Sequence, residues 1–396
     1  MKKNKVLAGT VAYLVLAPIL PLSVLCAQVS WNTEDLNKAR QFSEQMGTFA
    51  FMLYTDGSII TAWGDTTTAT SLHSARKAIS STIYSIYTGT GDGKLDPEMT
   101  LRQLGIDDFP DPLSDQQKEA KVIHLMKSSS GINHAAAGET EGMRMEKNRL
   151  LGSGEHPPGT QWAYNNWDYN TLIAIFEQQT GVREKDAFME HIALPLHMQD
   201  LSDTTVVYSM EPALSMYPII EYNLSARDML KFGRLCLNQG LWVGNQVIPS
   251  SYFERIVSEY IRTGSNGLRS GHGYFWWVPF DRDSRRIGLP RGTYYADGLG
   301  YQQIIIIPEW ETVMVHKSNT NFREGFFTWL GQRGFTSSDS VYIVENLQVL
   351  LDEFLNFIVI DCREPSNLEN TICQQCKLVN DEDYLQFLRM ILNARN

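Results

Sequence analysis

The strongest constraint on the fold is the order of textures along the chain: β-type sequence stands at both ends of a long helical block. Near the start, Phe51–Tyr54 and Ile59–Trp63 flank Thr55-Asp56-Gly57-Ser58, two short strands closed by an Asp-Gly turn. Residues 96–227 change to helical patches separated by loops, with little period-2 alternation. Strand-like runs resume at Tyr274–Phe280, Tyr294–Ala296, Gln302–Ile307 and Thr312–His316, punctuated by Gly, Pro and Asp. Val341–Ile360 then reads as an amphipathic closing helix. Strands, helices, more strands and a last helix predict an α+β fold. In it an antiparallel sheet is flanked by helices, and a mainly helical subdomain, about 92–227, is inserted into the sheet. There is no internal repeat.

The 396 residues are 43% hydrophobic, ample for a core, and 34 basic against 45 acidic side chains give a net charge of −11. That charge offers no general attraction to phosphate backbones, so nucleic-acid binding is not expected. Lys2, Lys3 and Lys5 precede an apolar run, Val6–Leu25, that ends near Cys26 and Ala27, the pattern of a secretory signal over 1–27. Export to the periplasm or the medium is the expectation. Membrane contact would arise only if the segment stays on as an anchor or if Cys26 is lipidated; Leu25, rather than a small residue, stands before that cysteine. The remaining chain divides into a domain over 28–361 and a cysteine-containing tail over 362–396.

That tail holds Cys362, Cys373 and Cys376. In an oxidising compartment a disulfide from Cys362 to Cys373 or Cys376 is favoured over zinc, because the tail has three thiols and no histidine. Cys236, within Met229–Leu237, reads as a buried small hydrophobe.

Several common chemistries lose support at once. The chain has no Gly-x-Ser-x-Gly elbow, no phosphate loop ending in Gly-Lys-Ser/Thr and no His-Glu-x-x-His helix, and its eight histidines are scattered. No metal or organic cofactor is expected. What stands out is Ser74-Ala75-Arg76-Lys77, the one Ser-x-x-Lys in the chain, at the start of a run in which Ala78, Ile79, Ile83 and Ile86 recur at helical spacing. Residues three apart share a helix face, so an amine hangs beside the Ser74 hydroxyl. Lysine serves as a base only when neutral, which burial or a neighbouring cation can arrange. A helix N-terminus adds free N–H groups and partial positive charge where an oxyanion would form.

Two further elements could complete a site. Pro157-Pro158-Gly159-Thr160-Gln161-Trp162-Ala163-Tyr164-Asn165-Asn166 is a rigid turn that delivers a phenol and an amide together. An ammonium nearby would pull the Tyr164 phenol toward phenolate, so Tyr164 and Lys77 could share the base role. Tyr294 to Ile307 carries Gly298-Leu299-Gly300-Tyr301, where glycines permit close approach to a sheet edge and a strand N–H could complete an oxyanion hole. Taken singly, each is also compatible with an ordinary solvated helix turn, a tyrosine packed on a Pro-Gly turn, or a bulge.

Together, in order and spacing, the three resemble the motifs of the serine β-lactamase and penicillin-binding-protein superfamily, in particular its class C-like branch of esterases, peptidases and 6-aminohexanoate-dimer hydrolases. Val122–Gly131 and Leu224-Ser225-Ala226-Arg227-Asp228-Met229 resemble supporting segments of that family, and the likeness spans roughly 51–360. The resemblance implies a β-lactamase/transpeptidase-like fold and an acyl-enzyme on Ser74. It implies Lys77 and Tyr164 as general base and acid, and Asn166 as a substrate contact. Gly300 and Tyr301 would line the substrate, and the N–H groups of Ser74 and Tyr301 would form the oxyanion hole. The third motif of the family usually opens with Lys or His; here no cation stands in Gly298-Leu299-Gly300 and Asp297 adjoins it. That departure leans the expected substrates toward neutral or cationic esters and amides, or peptides, rather than anionic penicillins. His316-Lys317-Ser318 is a conceivable displaced substitute. The expectation is an exported serine hydrolase of ester or amide bonds, with a D-alanyl peptidase or β-lactamase as one alternative and a penicillin-recognising sensor without turnover as the other.

Overall fold

A computed structural model describes residues 30–152, 156–320, 322–339, 342–343, 346–360 and 379–396. The expected hairpin forms as β1 (Thr48–Thr55) and β2 (Ser58–Gly64). Six later strands join it: β3 (Ile261–Arg262), β4 (Gly271–Gly273), β5 (Trp276–Trp277), β6 (Tyr294–Gly298), β7 (Gln302–Ile307) and β8 (Thr312–Ser318). The sheet runs β2-β1-β8-β7-β6-β5-β4-β3, antiparallel throughout. The N-terminal hairpin thus meets the last strand, with Phe51 opposite His316 and Leu53 opposite Met314.

Both faces of the central strands are covered, which explains why β7 reads as an unbroken apolar run. Ile304 and Ile306 point into one core with Ala50, Met52 and Tyr54 of β1, whereas Ile305 and Ile307 point into a second with Phe51 and Leu53. Each of the four isoleucines is at most 2% exposed, and each contributes about 2 kcal/mol of transfer free energy. On the first face lie α2 (Arg76–Tyr87) and α4 (Ala226–Leu237). Helix α4 packs so closely that a Cβ on Gly233 would sit 2.6 Å from Val313 Cγ1. Between them in sequence comes α3 (Asn166–Thr180), and α5 (Asp281–Ile287) precedes β6.

The other face is covered by α1 (Thr33–Met46), capped by Asn32 and ended by left-handed Gly47, and by α6 (Asp381–Asn393), capped by Asn380. This corrects the expected closure. The helix anticipated at 341–360 exists as Leu347–Ile360, but it packs on Phe322–Gln332 through Trp329, Leu330 and Phe354 as a separate cluster. Helix α6, assigned from sequence to a cysteine tail, is what closes the sheet, because Tyr384, Phe387, Leu388 and Ile391 at helical spacing all bury against it.

A second correction concerns the inserted block. It is helical in the main but contains an antiparallel pair, Val206–Ser209 and Ile219–Leu224, joined by Thr70–Ser71 as a third strand. Thr70 pairs with Leu224, so this small sheet fixes the chain just ahead of Ser74. Cys236 is buried, as read, and free. The signal reading over 1–27 with Cys26, and Cys362, Cys373 and Cys376, lie outside the described residues. No helix among the described residues is long and apolar enough to cross a membrane.

Candidate active site

Ser74 sits in a single 3-10 turn, His73–Ala75, that runs directly into α2. The entry is bent: His73 takes a φ of 47°, its N–H bonded to Ser71 Oγ at 3.1 Å and its Nε2 3.0 Å from Thr320 Oγ1. Such a conformation costs a side-chain-bearing residue about 1 kcal/mol, which the surrounding bonds offset. Three residues on, Lys77 is 2% exposed.

The second motif reaches the same place because two loops are fastened together. Gly159 N–H bonds Ser129 O at 2.7 Å and Ala163 N–H bonds Ser128 O at 3.0 Å. Gly131 has a φ of 78°, and a Cβ there would lie 2.3 Å from His156 O, so glycine is required. Asn165 caps α3, its Oδ1 accepting Trp167 N–H and its Nδ2 donating to Ile132 O at 2.8 Å. Tyr164 is thereby presented just before the cap and Asn166 just after it.

The two segments converge on the amine. Lys77 Nζ is 2.6 Å from Tyr164 Oη and donates to Asn166 Oδ1, also at 2.6 Å, while Asn166 Nδ2 donates to Gly138 O at 2.8 Å. The Tyr164 ring stacks on Trp277 at 6.0 Å and 13°. Burial, then the Arg76 guanidinium, holds the Lys77 ammonium well below the usual lysine range. Tyr164 moves the opposite way from the phenolate expectation: burial raises its phenol, against the lowering effects of a hydrogen bond with Ser74 and of Arg76. A desolvated lysine sheds its proton and a desolvated phenol keeps its own. These directions favour the amine over the phenol as the basic member of the pair.

The third motif is shifted by two residues from its sequence reading. Ser74, Tyr164, Asp297, Gly298 and Leu299 line one cavity of about 480 Å³, and neither Gly300 nor Tyr301 is on its wall. Tyr301 N–H bonds Gly298 O at 2.9 Å to close the β6–β7 turn, so it is not free to hold an oxyanion. The Tyr301 ring faces away, stacked on Tyr384 at 3.9 Å. The residue that needs to be glycine is Gly298, where a Cβ would lie 2.1 Å from Leu72 O and 3.1 Å from Ala75 N, pressed against the turn that carries Ser74.

A cation missing from the third motif in sequence arrives from elsewhere. Arg269 Nη2 pairs with Asp297 Oδ2 at 2.8 Å, and Gln303 Nε2 donates to Asp297 Oδ1 at 2.7 Å, so the carboxylate beside Gly298 is neutralised. Nothing in the spacing of Arg269 and Asp297 signals this pairing. Lys317, the proposed substitute, points elsewhere, donating to the carbonyls of Thr70 and Leu224. His272 is buried beneath Tyr164, accepts the Trp162 indole N–H at Nδ1 at 3.2 Å, and is lowered to about 3 by burial, so it is a neutral wall. Arg76 and Glu221 also line the cavity and were not read from sequence. Among the described residues no group of three or more His, Cys, Asp or Glu is placed to hold a metal ion.

Known proteins share the family and the fold of this chain. The beta-lactamase family model matches residues 37–331. An uncharacterized protein of Alkalihalophilus pseudofirmus is 24% identical over 249 residues, 57% of this chain and 70% of the relative. Among solved structures, a provisionally assigned 6-aminohexanoate-dimer hydrolase of Bacillus anthracis superposes with a TM-score of 0.52 at 19% identity, over 80% of this chain and 82% of that one. A penicillin-binding protein of Bacillus halodurans gives 0.50 at 13% identity, over 71% and 95%. At these identities the structural likeness speaks to the fold.

Proposed function

The chain belongs to the beta-lactamase family, and on that premise we propose that it is a serine hydrolase that cleaves an ester or amide bond through an acyl-enzyme on Ser74. The observation that carries this reading is the buried Lys77 amine held at 2.6 Å from both Tyr164 and Asn166. Ser74 Oγ attacks the carbonyl carbon as its proton passes through Tyr164 to Lys77. The tetrahedral oxyanion is received by the backbone N–H groups of Ser74 and Leu299, which line the same cavity. The same relay returns the proton to the leaving oxygen or nitrogen as the carbon–heteroatom bond breaks. Water, deprotonated by the relay, then releases the acid and restores Ser74.

Asn166 is a positioning residue in this scheme rather than the substrate contact expected from the sequence. Its Oδ1 fixes the amine and its Nδ2 is anchored on Gly138 O, so the buried amide orients Lys77. The leader reading of residues 1–27 supports a site of action outside the cytoplasm. The test is turnover of a short-chain chromogenic ester by the purified protein and by Ser74→Ala, each checked for an unchanged melting temperature. Multiple turnovers by the parent and none by the variant are expected. A single stoichiometric burst would favour a sensor, and turnover by the variant would overturn the proposal.

A further inference from the structure

Three asparagines at the start of α3 read the carbonyls of one strap, residues 132–139. Asn165 Nδ2 donates to Ile132 O at 2.8 Å, Asn170 Nδ2 to Ala137 O at 3.0 Å and Asn166 Nδ2 to Gly138 O at 2.8 Å. The last of these bonds bears on the reaction, because the other end of the Asn166 amide holds the Lys77 amine. Gly138 is left-handed, with a φ of 69°, and its N–H is taken by Glu211 Oε1 at 2.8 Å. The strap is therefore part of what aims Lys77, and whatever fixes the strap acts on the amine.

The strap is also held by the helix Glu141–Leu151, which lines the Ser74 cavity at Met143 and Glu146. Of its eleven residues, only Lys147 and Leu151 are buried. Lys147 is 1% exposed, donates to His134 O and ion-pairs with Glu139 at 2.6 Å, and Glu139 is itself 7% exposed. Desolvating two charges offsets most of their attraction, so a pair this deep is a poor device for stability alone. What it does fix is geometry: it clamps the strap at residues 134 and 139, on either side of the carbonyls that Asn170 and Asn166 read.

We propose that Glu139 and Lys147 are a positioning pair for the reaction: by clamping the strap they hold the Gly138 carbonyl on Asn166, and Asn166 in turn holds the Lys77 amine on Tyr164. The inference rests on the hydrolase reading and adds to it two residues that touch no reacting atom. It also has an electrostatic side. Lys77 is faced by Arg76 on its own helix, by Tyr164 and the Tyr169 ring, by His272 of β4, by Glu221 of the small sheet and by Glu139 of the strap. Burial and then Arg76 lower the amine, and the two glutamates raise it. Lys147 is faced by Glu139 and by Asp168, whose carboxyl is lifted by burial to about 8, so at neutral pH Glu139 is its charged partner. With Lys147 in place the Glu139 charge is countered within the strap; without it the full field of the carboxylate reaches Lys77.

The experiment measures kcat, KM and the pH profile of chromogenic ester hydrolysis for the parent, Lys147→Met and Glu139→Gln. Lys147→Met is expected to lose about tenfold in kcat with KM held within about twofold, because the amine acts in the transition state and not in ground-state binding. Its acid limb should move to higher pH, whereas Glu139→Gln should move the limb to lower pH. A purely structural pair would change the melting temperature and the active fraction and leave both limbs where the parent has them. Should Lys147→Met not fold, Glu139→Gln/Lys147→Met, which strands no buried charge, replaces it and should show the same loss in kcat. A parent-like kcat without Lys147, or limbs that stay at the parent's pH, overturns the pair. Titration of the Lys77 amine by side-chain NMR in Ser74→Ala, with and without each substitution, needs no turnover. Opposite shifts there in a protein that hydrolyses no ester would sustain the pair and sink the hydrolase reading instead. Coincident titrations with ester turnover intact in the parent would sink the pair and leave the hydrolase reading standing.

Discussion

Gly298→Ala is the substitution whose consequence follows most directly from the geometry. The added Cβ would lie 2.1 Å from Leu72 O and 3.1 Å from Ala75 N, both backbone atoms, so no side chain can swing aside. Restoring van der Waals contact requires about 1 Å of separation between the end of β6 and the turn bearing Ser74. Overpacking of this kind costs about 1–3 kcal/mol of stability. The catalytic cost is larger, since a misplacement of about 1 Å between reacting groups can lower the rate about a hundredfold. The assay is the second-order rate of Ser74 labelling by a fluorophosphonate, with thermal denaturation measured alongside. Gly142→Ala is the control: it lies inside the helix Glu141–Leu151 with nothing within 4 Å of the new Cβ, and it should label normally and melt no lower. If Gly298→Ala labelled at the parent rate, the contact between the third motif and the nucleophile's turn would have no role in positioning Ser74.

Other consequences concern charge. Because Lys77 is depressed in the folded protein, the unfolded chain binds more protons between the folded value and the ordinary value of about 10.4, so this term makes stability rise with pH across that window. Lys77→Met should therefore raise the melting temperature most at low pH, with the gain shrinking as pH rises; a pH-independent difference would contradict the burial argument. Lys77→Arg, permanently charged, should lose about a thousandfold in acylation, and the parent acylation rate should fall as pH drops through the folded lysine value. Arg269→Ala leaves the buried Asp297 carboxylate with Gln303 alone and should cost about 1–2 kcal/mol in denaturant unfolding, with Asp297→Asn in the same protein recovering most of it. Since the Arg269 guanidinium is committed to Asp297, nitrocefin should be hydrolysed far more slowly than short neutral esters; efficient hydrolysis would show that the pair opens to receive a lactam carboxylate.

The features legible in sequence were those written in local spacing. The Asp56-Gly57 hairpin, the Ser74–Lys77 turn and the apolar run at 304–307 each encode their geometry within a few residues, and the structure reproduces all three as elements. The Tyr164–Asn166 segment was legible as a rigid turn, but its convergence on Lys77 depends on bonds from Gly159 and Ala163 to Ser129 and Ser128, which no spacing records. Arg269 was missed for the same reason, being paired across 28 positions with Asp297. The misplacement of the third motif onto Gly300 and Tyr301 has a different origin. Two glycines bracket Leu299, and only the approach of Leu72 O distinguishes the one pressed on the nucleophile's turn from the one that merely closes a hairpin. Helix α6 shows its helical spacing at Tyr384, Phe387, Leu388 and Ile391, but only its packing on the far face of the sheet makes it the closing helix, and no local spacing encodes that.

The account stands on covalent chemistry at one hydroxyl. Quenching the protein during ester turnover, measuring its intact mass and mapping the modified peptide would test this directly. The expected result is a single added acyl group on the peptide containing Ser74, absent in Ser74→Ala and accumulating when Lys77 is replaced by Met only if deacylation slows more than acylation. An acyl group mapped to any other residue, or undiminished ester turnover by Ser74→Ala, would contradict it.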